Sequence, residues 1–219
     1  MPDTNQPPEH PAAPAQEAHP ASAIVLAGGM SRRLGRDKAV EPIGGQPLIL
    51  RVSDLLGPLA DELMVVVANA DRGDSLPLDA RHRLVLDQYP GGGSLGGIFS
   101  GLSECTHQWA IAVACDMPFL HHGLIKHMLS LRDGVDAVVP VVDGRPEPTH
   151  AIYSKACLPY IEERLNAGDL KISNFFGQVR VRFLEEPEVS QWDPSLRSFF
   201  NINTPEDLEV AHALTAQGI

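Results

Sequence analysis

Four short apolar runs, residues 23–27, 63–68, 83–86 and 109–115, each give way to a small or polar residue: Gly28-Gly29, Asn69, Asp87 and Asp116. The first two lack the one-in-two polar alternation of a half-exposed strand, so they suit strands buried on both faces. Between them, Leu48, Ile49, Val52, Leu55, Leu56 and Leu59 recur at helical spacing, with Gly57-Pro58 closing the helix. Residues 120–131 repeat that pattern, with Leu124, Ile125, Met128 and Leu129 on one face. Strand–helix alternation of this kind predicts an α/β fold in three layers, a mostly parallel sheet covered on both sides. Ligands in such folds gather at the carboxyl ends of the strands. All four of the small or polar residues fall there.

The remaining stretches fit the same plan. Residues 69–81 are polar and carry Gly73 and Pro77, which reads as a loop; residues 90–97 form a glycine-rich turn leading into a helix over 98–105. Residues 137–142 read as a fifth strand, 149–154 as a strand antiparallel to the rest, 156–165 and 169–176 as helices, and 179–184 as a strand. A last helix over 205–214 starts with Thr204 as N-cap and Pro205 at the first helical position. Residues 1–20 hold six prolines, four alanines and no Ile, Val, Leu or Phe, too little apolar surface to offset chain entropy. They are expected to be a disordered N-terminal tail ahead of one domain over 21–219.

A formal charge of −11, from 17 Lys and Arg against 28 Asp and Glu, argues against non-specific binding to nucleic acid or to an anionic membrane. The three cysteines, Cys105, Cys115 and Cys157, form no C-x-x-C pair, so neither a disulfide framework nor a zinc knuckle is indicated, and a reducing cytoplasm fits. No apolar run approaches the roughly 18 residues of a membrane helix, and no signal-peptide pattern precedes the first strand.

Within this acidic chain, Arg32, Arg33, Arg36 and Lys38 lie within seven positions directly after the glycine turn. Gly28 and Gly29 let the backbone approach a phosphate closely, and Arg33 and Lys38 can neutralise a polyphosphate, one by forked hydrogen bonds and one as a point charge. The spacing is not that of a Walker A loop. Gly91 to Gly96 satisfies G-x-G-x-x-G with Asp116 twenty residues further on, as in dinucleotide-binding folds, but Pro90 separates these glycines from the preceding strand. Asp116, a carboxylate at a strand's end opposite a basic loop, is placed to hold a magnesium ion against phosphate oxygens. Asp87 is a candidate second ligand, or a partner for ribose or base. His121, His122 and His127 read as a solvated helix face, and Met117 and Trp109 as core or pocket wall.

The run Leu26-Ala27-Gly28-Gly29-x-Ser31-Arg32-Arg33-x-Gly35-x-Asp37-Lys38-Ala39 closely resembles the signature of nucleotidyltransferases, specifically the molybdenum cofactor guanylyltransferases. Four further segments look like that family in the same order: Asp87-x-x-Pro90-Gly91-x-Gly93-x-Leu95-x-Gly97-Ile98, Cys115-Asp116-Met117-Pro118, Pro148 ahead of Ala151-x-Tyr153, and Phe200-Asn201-Ile202-Asn203-Thr204-Pro205-Glu206-Asp207-Leu208. The resemblance implies a Rossmann-like nucleotidyltransferase topology and transfer of GMP from GTP to molybdopterin, with pyrophosphate released and Mg²⁺ as cofactor. CTP with molybdopterin, or an NTP with a sugar or polyol phosphate, is the related alternative. A protein that keeps the pocket without turnover is the rival from another class.

By the same resemblance, Leu26, Ala27, Gly28 and Gly29 hold the nucleotide, and Arg33 and Lys38 its triphosphate. Asn69 and Asp87 serve base and ribose, and Asp116 binds the metal. Gly93, Gly97, Asn201 and Asn203 line the acceptor side or the catalytic centre. Proteins that mature molybdoenzymes follow as partners. Ser94 stands where the family usually has proline, and Pro148 lies where relatives that discriminate bases differ.

Overall fold

A computed structural model describes residues 20–29 and 37–218. The expected tail, apart from Pro20, and the candidate Arg33 lie outside the described residues. In chain order the elements are β1 (Ser22–Leu26), β2 (Pro42–Ile43), β3 (Gln46–Pro47), α1 (Leu48–Leu56), β4 (Glu62–Val67), α2 (Ala70–Asp74), β5 (His82–Leu86), α3 (Gly93–Glu104), β6 (Trp109–Ala114) and α4 (His122–Ser130). There follow β7 (Ala137–Val142), β8 (Arg145–Pro146), β9 (His150–Ser154), α5 (Leu158–Asn166), β10 (Val181–Leu184), α6 (Glu186–Trp192) and α7 (Pro205–Ala216).

The main sheet runs β5-β4-β1-β6-β9-β7-β10, with β8 paired to β7, and β2 and β3 make a separate antiparallel pair. Strands β5, β4, β1 and β6 are parallel neighbours, while β9 is antiparallel to both β6 and β7, as its sequence leads one to expect. From β1 the chain builds outward through β4 and β5, then crosses to the other side of β1 to lay down β6. That reversal leaves a crevice at the carboxyl ends of β1 and β6. Leu26 pairs with Ala114, so Gly28 and Asp116, each two residues further along, stand level at its mouth.

Side chains of β1 alternate between two cores. Ala23, Val25 and Ala27 pack with Leu48, Ile49 and Val52 of α1 and Leu124 and Ile125 of α4. Ile24 faces the other way, with Met64, Leu95, Ile98, Leu102 and Ile161. Burying each such aliphatic side chain contributes roughly 1.5–3 kcal/mol, which is why the continuous apolar runs become central strands. β5 sits at the edge, and Leu84 and Leu86 there remain 41% and 50% exposed.

Three expectations need correction. The stretch taken as a loop after β4 contains α2, which starts because the Asn69 carboxamide oxygen accepts from Arg72 N at 2.9 Å as an N-cap. α3 begins at Gly93, not at residue 98, since several of its glycines serve close packing: a Cβ on Gly97 would lie 3.0 Å from Leu26, and one on Gly101 2.7 Å from Ile24. Residues 172–178 form 3₁₀ turns, not an α-helix. α7 carries the full capping box at Thr204 and Asp207. Among the described residues no helix is long and apolar enough to cross a membrane.

Candidate active site

The crevice holds a cavity of about 420 Å³ lined by Leu26, Gly28, Gly29, Lys38, Val66, Ala68, Asp87, Gly91, Gly93, Ser94, Gly97, Ala114, Cys115 and Asp116. Eight of the sequence candidates therefore meet in one place. β1 supplies the glycine turn, β5 supplies Asp87, the start of α3 supplies Gly93 and Gly97, and β6 supplies Asp116.

At its mouth Lys38 Nζ donates to Asp116 Oδ2 at 2.5 Å, to Ile202 O at 3.2 Å and to Asn203 Oδ1 at 3.2 Å. Main chain holds the Asp116 end of this cluster, and a side-chain cap holds the Asn203 end. Ile202 N donates to Asp116 O at 3.0 Å and Cys115 N to Leu26 O at 3.1 Å, while Asn203 N and Thr204 N donate to the capping Asp207 carboxylate. The start of α7 thereby brings Asn203 to the Lys38–Asp116 end of the cleft. Asn201, its companion in the sequence assignment, donates its amide to Phe199 O at 2.9 Å.

Asp87 is oriented by Tyr89 N and the Ser100 hydroxyl, both at 3.0 Å. Ala27 is buried in the core and reaches the site only through its main chain, its N–H donating to Val66 O at 2.8 Å. Asn69 lines an adjoining cavity of about 580 Å³ with Asp37, Asp71, Arg72 and Ser75, which shares Gly28 and Ala68 with the first.

Asp116 Oδ1 is buried and has no hydrogen-bond partner among the described residues. Such an oxygen suits a hard dication, and magnesium characteristically takes one or two protein carboxylates and completes its shell with water and substrate phosphate. Among the described residues no group of three or more His, Cys, Asp or Glu could hold a metal, so a cation here depends on that sparse pattern. The donor set fits it. The neighbouring Cys115 thiol is not a nucleophile, because burial and then the Asp116 charge push it up to about 12.

Of the histidines, His121 keeps the exposure expected of it and His127 does not. His121 is exposed but caps α4, accepting from Leu124 N at 3.3 Å; His127 is half-buried, 2.9 Å from Glu188 Oε1 and stacked on Trp192. Met117 is buried, and Trp109 packs at the core's edge beneath Arg132, as expected.

Sequence reading missed two further residues. Arg72 is one, since nothing local links it to Asp37. His150 is the other: fully buried, it packs on Phe199 at 4.8 Å, and its Nδ1 lies 3.2 Å from Ser198 O, which can only accept, so Nδ1 carries the hydrogen. Burial lowers its affinity for a proton, outweighing Ser198 and Asp193, to about 4 against 6.5 in the unfolded chain. Between those values the unfolded state binds more protons, so falling pH removes about 1 kcal/mol of stability per unit from 6.5 down to 4, and no more below. Urea unfolding of the wild type and His150→Phe from pH 7 to 4 checks this. The variant should lack that part of the slope, and parallel curves would refute it.

The MobA-like NTP transferase domain family matches residues 23–182. A relative from Desulfosudis oleivorans, named molybdenum cofactor guanylyltransferase, is 40% identical over 200 residues, covering 89% of this chain and 96% of its own. One from Pelotomaculum thermopropionicum, named probable molybdenum cofactor guanylyltransferase, is 36% identical over 194 residues, 89% of this chain and 93% of its own. The crystal structure of molybdopterin-guanine dinucleotide biosynthesis protein A from Archaeoglobus fulgidus is similar with a TM-score of 0.79 at 28% identity, over 90% of this chain and 99% of that one.

Proposed function

Because the chain belongs to the MobA-like NTP transferase family, we propose that it transfers GMP from GTP to molybdopterin, giving the guanine dinucleotide form of the cofactor and pyrophosphate. Residues 21–219 are its nucleotidyltransferase domain. The observation that carries the chemistry is the meeting of Lys38 and Asp116 at 2.5 Å beside the glycine turn.

The acceptor's terminal phosphate oxygen attacks the α-phosphorus of GTP in line, and the bond from that phosphorus to the β-phosphate bridge oxygen breaks as pyrophosphate leaves with its electron pair. A phosphate nucleophile is already ionised, so no general base is required. The described site agrees, offering cations, carboxylates and glycines without an activated nucleophile. Main chain at Leu26, Ala27, Gly28 and Gly29 holds the nucleotide, and Lys38, with Arg33, neutralises the triphosphate. Asn69 and Asp87 serve base and ribose, and Gly93, Gly97, Asn201 and Asn203 the acceptor. Mg²⁺, held by Asp116 when bound, supplies the positive charge that offsets repulsion between two anions and stabilises the leaving pyrophosphate. The proteins that mature molybdoenzymes are the partners to which this product would pass, in the cytoplasm.

Pyrophosphate release with molybdopterin and each of GTP, CTP, ATP and UTP tests the proposal. GTP should be turned over fastest. A preference for CTP would move the assignment to the cytidylyl reaction, and nucleotide binding with no release from any pair would make the chain a binding protein.

A further inference from the structure

The side chain of Arg72, in α2, is only 9% exposed, and its guanidinium makes a fork with Asp37: Nη1 to Oδ2, and Nη2 to Oδ1 at 2.9 Å. Its third nitrogen, Nε, donates to Ala27 O at 3.2 Å. Ala27 ends β1 and leads into Gly28-Gly29, while Asp37 precedes Lys38. Two residues ten positions apart thus meet on one side chain, and they bracket the stretch that carries the phosphate-binding motif. Asp37 has a second task, since its Oδ1 accepts from Ala39 N at 3.1 Å and caps the turn on which Lys38 stands. A planar fork fixes a carboxylate in angle as well as distance, and the low exposure of the guanidinium spares it most solvent screening. The Asp37 carboxyl responds accordingly: burial raises its proton affinity, but the hydrogen bonds from Arg72 and Ala39 N–H outweigh that and the net shift is downward.

We propose that Arg72 is a positioning residue for triphosphate binding, clamping Ala27 O and Asp37 together so that Lys38 is held at a set place relative to the glycine backbone. The inference rests on the nucleotidyltransferase reading above. Through the clamp, the entropy of ordering Lys38 against the glycine turn is met before the nucleotide arrives, which is how preorganisation raises affinity.

Calorimetric affinities for GTP and for guanosine, measured on the full chain with circular dichroism as a fold control, test it. Arg72→Met should weaken GTP about tenfold, the size of one charge-assisted hydrogen bond, and leave guanosine unchanged. Asp37→Asn should give the same selective loss, and the double variant no more than either alone. Arg72→Lys keeps the charge but not the fork, so it should restore only part of the affinity.

Equal losses for guanosine and GTP, full rescue by lysine, or an Asp37→Asn protein that binds GTP as well as wild type would each overturn the clamp. The last would instead mark Arg72 as touching the nucleotide directly. If wild type binds another triphosphate in place of GTP, the guanine assignment fails and the comparison proceeds with that nucleotide and its nucleoside. If it binds no triphosphate, both readings fall. Should Arg72→Met not fold, Asp37→Asn and Arg72→Lys still decide the question.

Discussion

Asp116→Ala is expected to lower pyrophosphate release at least about 10³-fold, the loss seen when a group facing the developing charge of a transition state is removed. The geometry separates this from a folding defect. Asp116 is held at its place by main chain, through Ile202 N on its carbonyl and through Cys115 N on Leu26 O one residue earlier. Neither bond involves the carboxylate. Its Oδ1 has no hydrogen-bond partner among the described residues, and although the Lys38 contact at Oδ2 is lost, Lys38 Nζ keeps Ile202 O and Asn203 Oδ1, so its charge is not left without acceptors. Circular dichroism and the thermal midpoint should therefore stay near wild type. Asp116→Asn, which keeps the shape and one acceptor but not the charge, should be nearly as inactive. Undiminished turnover in either variant would sink the assignment of Asp116 to the metal, while a collapsed midpoint would show that the carboxylate is structural.

What could be read from the sequence divides along a physical line. Strands β1, β4 and β6 were legible because burial on both faces leaves no room for polar alternation, and a continuous apolar run is the only pattern compatible with it. That Gly28 and Asp116 lie at the carboxyl ends of strands followed from the sequence, while their level placement comes from the Leu26–Ala114 register. α2 was hidden because its start depends on one side-chain cap at Asn69, and its body carries Gly73, a residue that on propensity argues for a loop. The early start of α3 was hidden for the opposite reason. Glycines look like turns, yet Gly97 and Gly101 are small so that a helix can approach β1.

Contacts between distant segments stayed invisible wherever no shared motif ties the two partners together. Arg72 and Asp37 stand 35 positions apart, and His127 and Glu188 stand 61 apart. Neither partner carries a local signature of the other. The Lys38–Asp116 contact spans 78 positions but was legible, because strand order brings both to one crevice and the motif resemblance ties them to one phosphate chain.

Lys38→Ala is expected to act in opposite directions on two ligands. Among the described residues the ammonium reaches oxygens of Asp116, Ile202 and Asn203, the last two in the C-terminal segment. A triphosphate offers the same cation several anionic oxygens at once, so its removal should cost about 10²-fold in GTP affinity, the value of one strong charge-assisted contact, with guanosine unaffected. Equal losses for GTP and guanosine would count against a phosphate role. In the nucleotide-free protein, however, Lys38 holds Asp116 Oδ2 at 2.5 Å and opposes any dication approaching the same carboxylate. Its removal should tighten Mn²⁺ or Mg²⁺ binding in the absence of nucleotide, measured by calorimetry or by Mn²⁺ relaxation. A lysine that served only as a structural tether would leave the metal affinity unchanged. With metal bound more tightly and GTP more weakly in one variant, Lys38 would be a cation that leaves the carboxylate for the triphosphate, which places nucleotide and metal entry under the same residue.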